Sequence, residues 1–509
     1  MQRSPDEYSL SAGKQTRASI LIAGPRVPQM GVSMCFYDRV RLRAPRRILL
    51  RLSRALTVVL AAAGLGFAAA DAQAKDPVKE PSIWERETLT GDWSGARTAL
   101  KDKNGIDITL NYIGETLAVL SGGLHRRTSY EGRLEFSVDA DLQKLIGWTG
   151  ASTHFTVYQI HNSGYNAADN VGSIADASNI DALPTTRLFT AWFQQNAFDD
   201  RFSLRIGQLA ADDEFITSPT AGGLINGTFG WAGVLAANMT SGGPAYPLAT
   251  PGVRVAVKPT EQFTLQAALF SGNPAGRDCN DNAQECNKHG TTFSFSGGAL
   301  WMSELQYAIN QDKKAVGLPG VYKLGAWYAT TDFADQHFGL DGAGAVVSLA
   351  DPTMVDSLNH RGNWGLYAVA DQMVWRGRES SVNLFVRGGF SPSDRNLISY
   401  YVDGGAGFKG LLPGRADDML TFGVAYAKIS RDAAALDQDT LAIDGPPYPI
   451  RNEEVVFELS YQAQIAPWWI VQPDLQYIVH PGGNVPDPDN PNATVGNAFV
   501  AGVRSTIKF

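Results

Sequence analysis

From Ile106 to the last residue, apolar and polar side chains alternate with a period of two, which is the spacing of β-strands. Phe202, Leu204 and Ile206 oppose Ser203, Arg205 and Gly207; Phe263, Leu265, Ala267 and Leu269 oppose Thr264, Gln266 and Ala268. Leu324, Ala326 and Tyr328 oppose Gly325, Trp327 and Ala329, while Val382, Leu384 and Val386 oppose Asn383, Phe385 and Arg387. Phe422, Val424 and Tyr426 oppose Thr421, Gly423 and Ala425. Val455, Phe457, Leu459 and Tyr461 oppose Glu454, Val456, Glu458 and Ser460. After a break at 463–467, Trp469, Val471, Leu475 and Tyr477 oppose Gln472, Asp474 and Gln476, which makes these two strands the clearest hairpin. The final strand sets Phe499, Ala501, Val503, Ile507 and Phe509 against Gly502, Arg504, Thr506 and Lys508. One face of each strand suits lipid and the other suits water, as in a transmembrane β-barrel.

Tyr461, Trp468, Trp469 and Tyr477 stand near strand ends, where barrels carry interfacial aromatics. Residues 365–375 break the rule at Asp371-Gln372, and no faces are assigned there. Connections are of two kinds, short ones such as 463–467 and long polar ones such as 161–186, 273–290 and 480–494, the asymmetry of an outer-membrane barrel. Ahead of the strands, 89–105 reads as a short helix with Asp92 as its cap, an apolar side of Trp93, Ala96 and Leu100, and Gly105 as its stop.

The N-terminus is of another kind. A basic stretch over 39–54, an apolar run over 55–70 and the small-x-small triplet Ala72-Gln73-Ala74 read as a secretory signal peptide cut before Lys75. The apolar run falls short of the ~20 residues of a spanning helix. The chain thus divides into a leader (1–74), a periplasmic segment (75–105) and a barrel (106–509); initiation at Met30 or Met34 would give a leader of ordinary length. Removing the leader's eleven Lys+Arg and four Asp+Glu takes the formal charge from −8 to −15. So acidic a chain lacks the positive field that binding to nucleic acid requires. Cys279 and Cys286, seven apart in a polar stretch of an exported chain, read as a disulfide; His289 nearby makes an incomplete metal set.

Catalytic constellations are absent from the sequence. The seven histidines form no H-x-x-x-H pair, and there is no Gly-x-Ser-x-Gly elbow or P-loop. Residues 405–410 (GAGFKG) match G-x-G-x-x-G formally, but no helix follows, so they read as a loop. No cofactor is expected. The chemistry left is that of the inward face: Arg205, Arg387, Arg504, Glu458, Gln472, Asp474 and Gln476 would face water and exchange hydrogen bonds with sugar hydroxyls, and Trp327 and Phe385 would offer flat faces to a sugar ring.

A set of short blocks resembles the carbohydrate-selective porins of the OprB type. They are Leu-Thr-Gly-Asp-Trp-Ser-Gly-Ala-Arg at 89–97, Arg-Phe-Ser-Leu-Arg-Ile-Gly-Gln at 201–208 with Asp-Glu-Phe at 213–215, and Tyr-Pro-Leu-Ala-Thr-Pro-Gly-Val-Arg at 246–254. Gly-Leu-Tyr-Ala-Val-Ala-Asp-Gln at 365–372, the block 472–483, Ala-Gly-Val-Arg at 501–504 and the terminal Phe509 complete the set. The resemblance implies sixteen antiparallel strands in the outer membrane of a Gram-negative bacterium, with the helical segment on the periplasmic side. It further implies passive entry of sugars through a constriction of charged and aromatic residues, in a monomer or trimer surrounded by outer-membrane lipid. Phe509 would be read by the barrel-assembly machinery. Two departures, Gln208 where the family often has Lys and the lack of a Glu in 187–195, reduce lumen charge. A general diffusion pore, a barrel enzyme and a secreted lectin are the competing readings.

Overall fold

The computed structural model describes residues 81–509 apart from 277, 278, 313 and 447. The leader expected over 1–74, with its apolar run, lies outside the described residues, as does the start of the 75–105 segment.

Sixteen long strands follow one another in chain order. The first eight are β1 (Ile106–Gly123), β2 (Thr128–Asp141), β3 (Ala151–Asn162), β4 (Thr185–Ala197), β5 (Phe202–Leu209), β6 (Thr250–Val257), β7 (Phe263–Ser271) and β8 (Ala299–Ile309). The second eight are β9 (Gly320–Asp341), β10 (Met354–Arg376), β11 (Ser381–Phe390), β12 (Ile398–Lys409), β13 (Met419–Ile429), β14 (Glu453–Ala466), β15 (Trp469–Val479) and β16 (Gly496–Lys508). Each pairs antiparallel with the next, and β1 also pairs with β16 from Asn111↔Lys508 to Gly123↔Gly496. The sheet therefore closes on itself, leaving no free edge, as a sheet in lipid must. A three-residue strand, Val346–Ser348, is a spur on the loop between β9 and β10.

The alternation read from the sequence sorts the two faces of this wall. Leu324, Leu366, Leu384, Val402, Leu475 and Val503 are exposed outward, to lipid. Trp301, Tyr328 and Trp364 are neighbours across β8, β9 and β10, and the belt continues through Phe390 and Tyr400, whose rings lie 5.2 Å apart. Phe263, Tyr307 and Tyr322 form the opposite belt. On β10, Trp364 and Trp375 are eleven residues apart. That is roughly 36 Å along a strand and about 28 Å after a ~40° tilt, close to the height of an outer-membrane apolar band.

Connections at one end are short, among them 198–201, 258–262, 377–380 and 467–468; at the other they run to 163–184, 210–249, 272–298 and 430–452. Residues 405–410, expected to form a loop, instead fall largely within β12. Gly405 sits there because a Cβ would lie 2.0 Å from the Phe422 carbonyl oxygen of the next strand. The break expected at Asp371-Gln372 is one of chemistry and not of register, because Asp371 continues the inward row of Tyr367 and Val369.

The segment 210–249 folds into the barrel. Its Phe215, Ile216, Leu224, Ile225, Phe229 and Leu235 are fully buried in a cluster with Trp327, Tyr367, Phe385 and Tyr401 of the inner wall. Contact is so close that a Cβ on Gly423 of β13 would lie 2.4 Å from Leu224.

At the short-turn end a helix spans Ala96–Asn104 and stops on Gly105 in the left-handed conformation. Gly95, not Asp92, precedes it, but the Asp92 carboxylate accepts from the Thr98 backbone N–H at 2.8 Å and so satisfies one free donor of the first turn.

Candidate functional site

Inward-pointing residues divide into two groups by what covers them. Arg387, Glu458, Gln472, Asp474, Gln476 and Arg504 point inward as their strand positions require, yet they are buried and do not face water. The inserted loops cover them. Arg387 donates to Asp403 Oδ1 at 3.0 Å and to the loop carbonyls of Ile216, Thr228 and Gly230 at 3.2, 2.9 and 3.2 Å. Glu458 accepts from the backbone N–H groups of Ile225 and Asn226 at 2.6 and 3.0 Å. Gln472 donates to Gly223 O at 3.1 Å, and Gln476 to Ala177 O and Asp474 at 2.8 and 2.9 Å. Arg504 reaches Glu115 at 2.6 Å and Asn179 Oδ1 at 2.7 Å. A short irregular segment inside a barrel must find partners for its backbone groups, and these side chains supply them. Trp327 and Phe385 are likewise packed into the cluster under the loop and offer no free ring face. The sequence reading missed Glu304 and Asp371, which hold the same loop through Ile216 N at 2.8 Å and Thr220 N at 2.9 Å. The signal was available as carboxylates on inward positions of otherwise apolar strands.

Of the inward residues singled out, Arg205 alone stays part-exposed. Its guanidinium lies 3.9 Å above the Trp192 ring, and His154 from the strand on the other side stacks on that ring at 4.9 Å. Arg205 faces Arg254 directly across β5 and β6. Glu214, on the inserted loop, reaches Arg205 with Oε1 at 2.6 Å and Arg254 with Oε2 at 2.7 Å. Gln194 Oε1 accepts from both guanidinium groups, at 2.9 and 3.1 Å. These side chains, with Ser203, Gln266 and Gln306, line a polar cavity of about 560 Å³ on the inner wall. Further along the same wall Arg133 lies over the Tyr158 and Tyr246 rings at 4.6 and 5.1 Å and reaches Glu135 at 3.4 Å. A surface of planar donors, carboxylate acceptors and aromatic rings can exchange hydrogen bonds with several hydroxyls at once.

Two loops frame this wall from the outer end. Cys279 and Cys286 are joined by a disulfide. Fully buried Arg187 ties that loop to β4 by donating to the carbonyls of Lys288 at 3.1 Å and Pro247 at 2.9 Å. Gln208 donates to the carbonyls of Phe189 and Gly290 at 2.8 and 2.9 Å, so this departure from the family pattern ties strands and loop together. In the 163–184 loop, burial pushes the Asp181 carboxyl up to about 6, against hydrogen bonds from Ala168 N and the Asn166 amide that favour its charged form.

Several known proteins share this architecture. The chain is 28% identical over 472 residues to Porin B of Pseudomonas aeruginosa, covering 87% of this chain and 95% of that one. It is 24% identical over 455 residues to the putative porin QuiX of Acinetobacter baylyi, covering 84% and 94%. The high-pH structure of Pseudomonas putida OprB superposes with a TM-score of 0.73 at 26% identity, over 84% of this chain and all of that one. The model of the carbohydrate-selective porin, OprB family, matches residues 125–509, and the chain belongs to that family of outer-membrane sugar porins.

Proposed function

We propose that sugars pass this porin along the wall of β2–β7, with Arg133, Trp192, Gln194, Arg205 and Glu214 as the side chains that meet them. The observation that carries this reading is a group of part-exposed polar side chains on the inner wall. The β8–β16 side is covered by seated loops, whereas Arg205, Glu214 and Gln194 remain part-exposed beside a polar cavity. Arginine Nη groups donate to ring and hydroxyl oxygens, and Glu214 and Gln194 accept hydroxyl protons. The chain is read as a channel without chemistry of its own. We retain the division into leader (1–74), periplasmic segment (75–105) and barrel (106–509), and assign Phe509 to recognition by the assembly machinery, as the family resemblance implies.

Single-channel conductance in planar bilayers tests the path. Glucose should reduce the current in a concentration-dependent manner, and Arg205→Ala should weaken that block by about ten- to a hundredfold, in line with ~1.5–3 kcal/mol for a charged hydrogen bond. Block that is unchanged in Arg205→Ala would place the path elsewhere.

A further inference from the structure

We propose that Glu214 is a specificity-determining residue that disfavours acidic sugars in this pore by bridging Arg205 and Arg254 and halving their net positive charge. The inference rests on the path proposed above.

Arg205 and Arg254 stand directly opposite each other on neighbouring strands. Like charges in that position repel. A carboxylate between them removes the repulsion, and here it comes not from the wall but from the inserted loop. Glu214 spans both guanidinium groups, one oxygen to each, at 2.6 and 2.7 Å. Its position is held on both sides: Phe215 and Ile216, which follow it, are fully buried, and its own carbonyl accepts from Gln266 at 3.0 Å. The carboxylate is thus presented by a seated element and not by a free side chain.

The consequence is chemical. A neutral sugar presents hydroxyls, which donate to the Glu214 oxygens and accept from the remaining arginine N–H groups without displacing either. A uronate or aldonate presents a carboxylate, whose strongest partner is a guanidinium that meets it with two parallel hydrogen bonds. The Arg205 and Arg254 guanidinium groups are already engaged by Glu214, and Glu214 repels the incoming anion. Asp139 adds to that repulsion, since it faces the same lumen beside His154 at 2.8 Å. Without the Glu214 charge, part-exposed Arg205 would take up the carboxylate, with the charge of buried Arg254 behind it.

Reversal potentials of the full chain in a KCl gradient, together with current block by glucose and by sodium glucuronate, test this. Glu214→Gln should raise the chloride-to-potassium permeability ratio about sixteenfold, since one unit charge roughly 5 Å away in water is worth about fourfold to each ion, in opposite directions. Glucuronate should then block at lower concentration than glucose, the reverse of the unmodified porin. Glu214→Asp, which keeps the charge, should keep the original order. A Glu214→Gln channel with an unchanged ratio, or one that still takes glucose in preference to glucuronate, overturns the proposal. Should that variant not yield a folded barrel, Arg254→Gln supplies the opposite test: the ratio should fall about sixteenfold, and no change overturns the proposal. Absence of glucose block in the unmodified porin would remove the path itself, while the shift in ion selectivity reports on Glu214 alone.

Discussion

Charged residues on inward strand positions were legible as inward, but their roles were not. Arg205 and Arg387 occupy equivalent places in alternating strands, yet Arg205 remains part-exposed beside the cavity and Arg387 is buried under a loop. Nothing within either strand separates them, because the difference lies in what a segment over a hundred residues away lays on top. Asp181 shows the same dependence on cover. It is nearly buried in the docked 163–184 loop, where its carboxyl titrates near 6 under the influence of burial, Asp169 and Glu115. In a released loop it would titrate near 3.9. The docked form therefore holds a proton that the released form has lost between about pH 4 and pH 6. Docking should be strongest below pH 4, weaken by up to about a hundredfold as pH rises to 6, and change no further through this residue. Hydrogen exchange of the Ala168 amide, corrected for intrinsic rate, should follow that course, and Asp181→Asn should flatten it. Protection that rises between pH 4 and 6 would contradict the assignment.

At the level of elements, strands were legible and the inserted loop was not. A strand facing lipid on one side and a lumen on the other carries its faces in its own sequence. Segment 210–249 has no period to read: it is apolar in Phe215, Ile216, Leu224, Ile225, Phe229, Val234 and Leu235 without alternating, because it is surrounded by protein and not by two solvents. The same circumstance hides the seat of the loop, which is built from Arg387, Glu458, Glu304 and Asp371 on four different strands. Arg387→Met should release it. Asp403 would be left buried without its cation, which costs about 3–5 kcal/mol, and three loop carbonyls would lose their donor. The expected outcome is a larger, noisier single-channel conductance with weaker sugar block, and a lower temperature for the heat-dependent shift in gel mobility. A conductance equal to that of the unmodified porin, with unchanged sugar block, would show that the loop is held without Arg387.

For the whole molecule, closure is the governing event. The seam joins β1 to β16, the strands most distant in sequence, and the N-terminal segment lies across it. Arg97, in the block Leu-Thr-Gly-Asp-Trp-Ser-Gly-Ala-Arg, donates to the carbonyls of Phe509 and Ile108 at 2.8 Å each, and Leu89 N donates to Lys508 O at 2.8 Å. Trp468 donates to Ile83 O at 2.7 Å while its ring stacks on Trp84 at 6.5 Å. Arg97→Gln should therefore lower the thermal midpoint of the barrel, with roughly 1.5–3 kcal/mol lost per charged hydrogen bond, and leave conductance and sugar block unaltered. A midpoint equal to that of the unmodified porin would show that closure does not use this contact. By itself the sequence determined the two-faced strands, their antiparallel succession, the long-loop and short-turn ends and the resemblance to sugar porins, since each is carried by neighbours in the chain. Only the tertiary structure decided where loops fill the lumen, which arginines hold a loop and which remain part-exposed, and that Glu214 spans Arg205 and Arg254. Those facts depend on contacts between segments far apart in sequence, brought together when the barrel closes around its inserted loops.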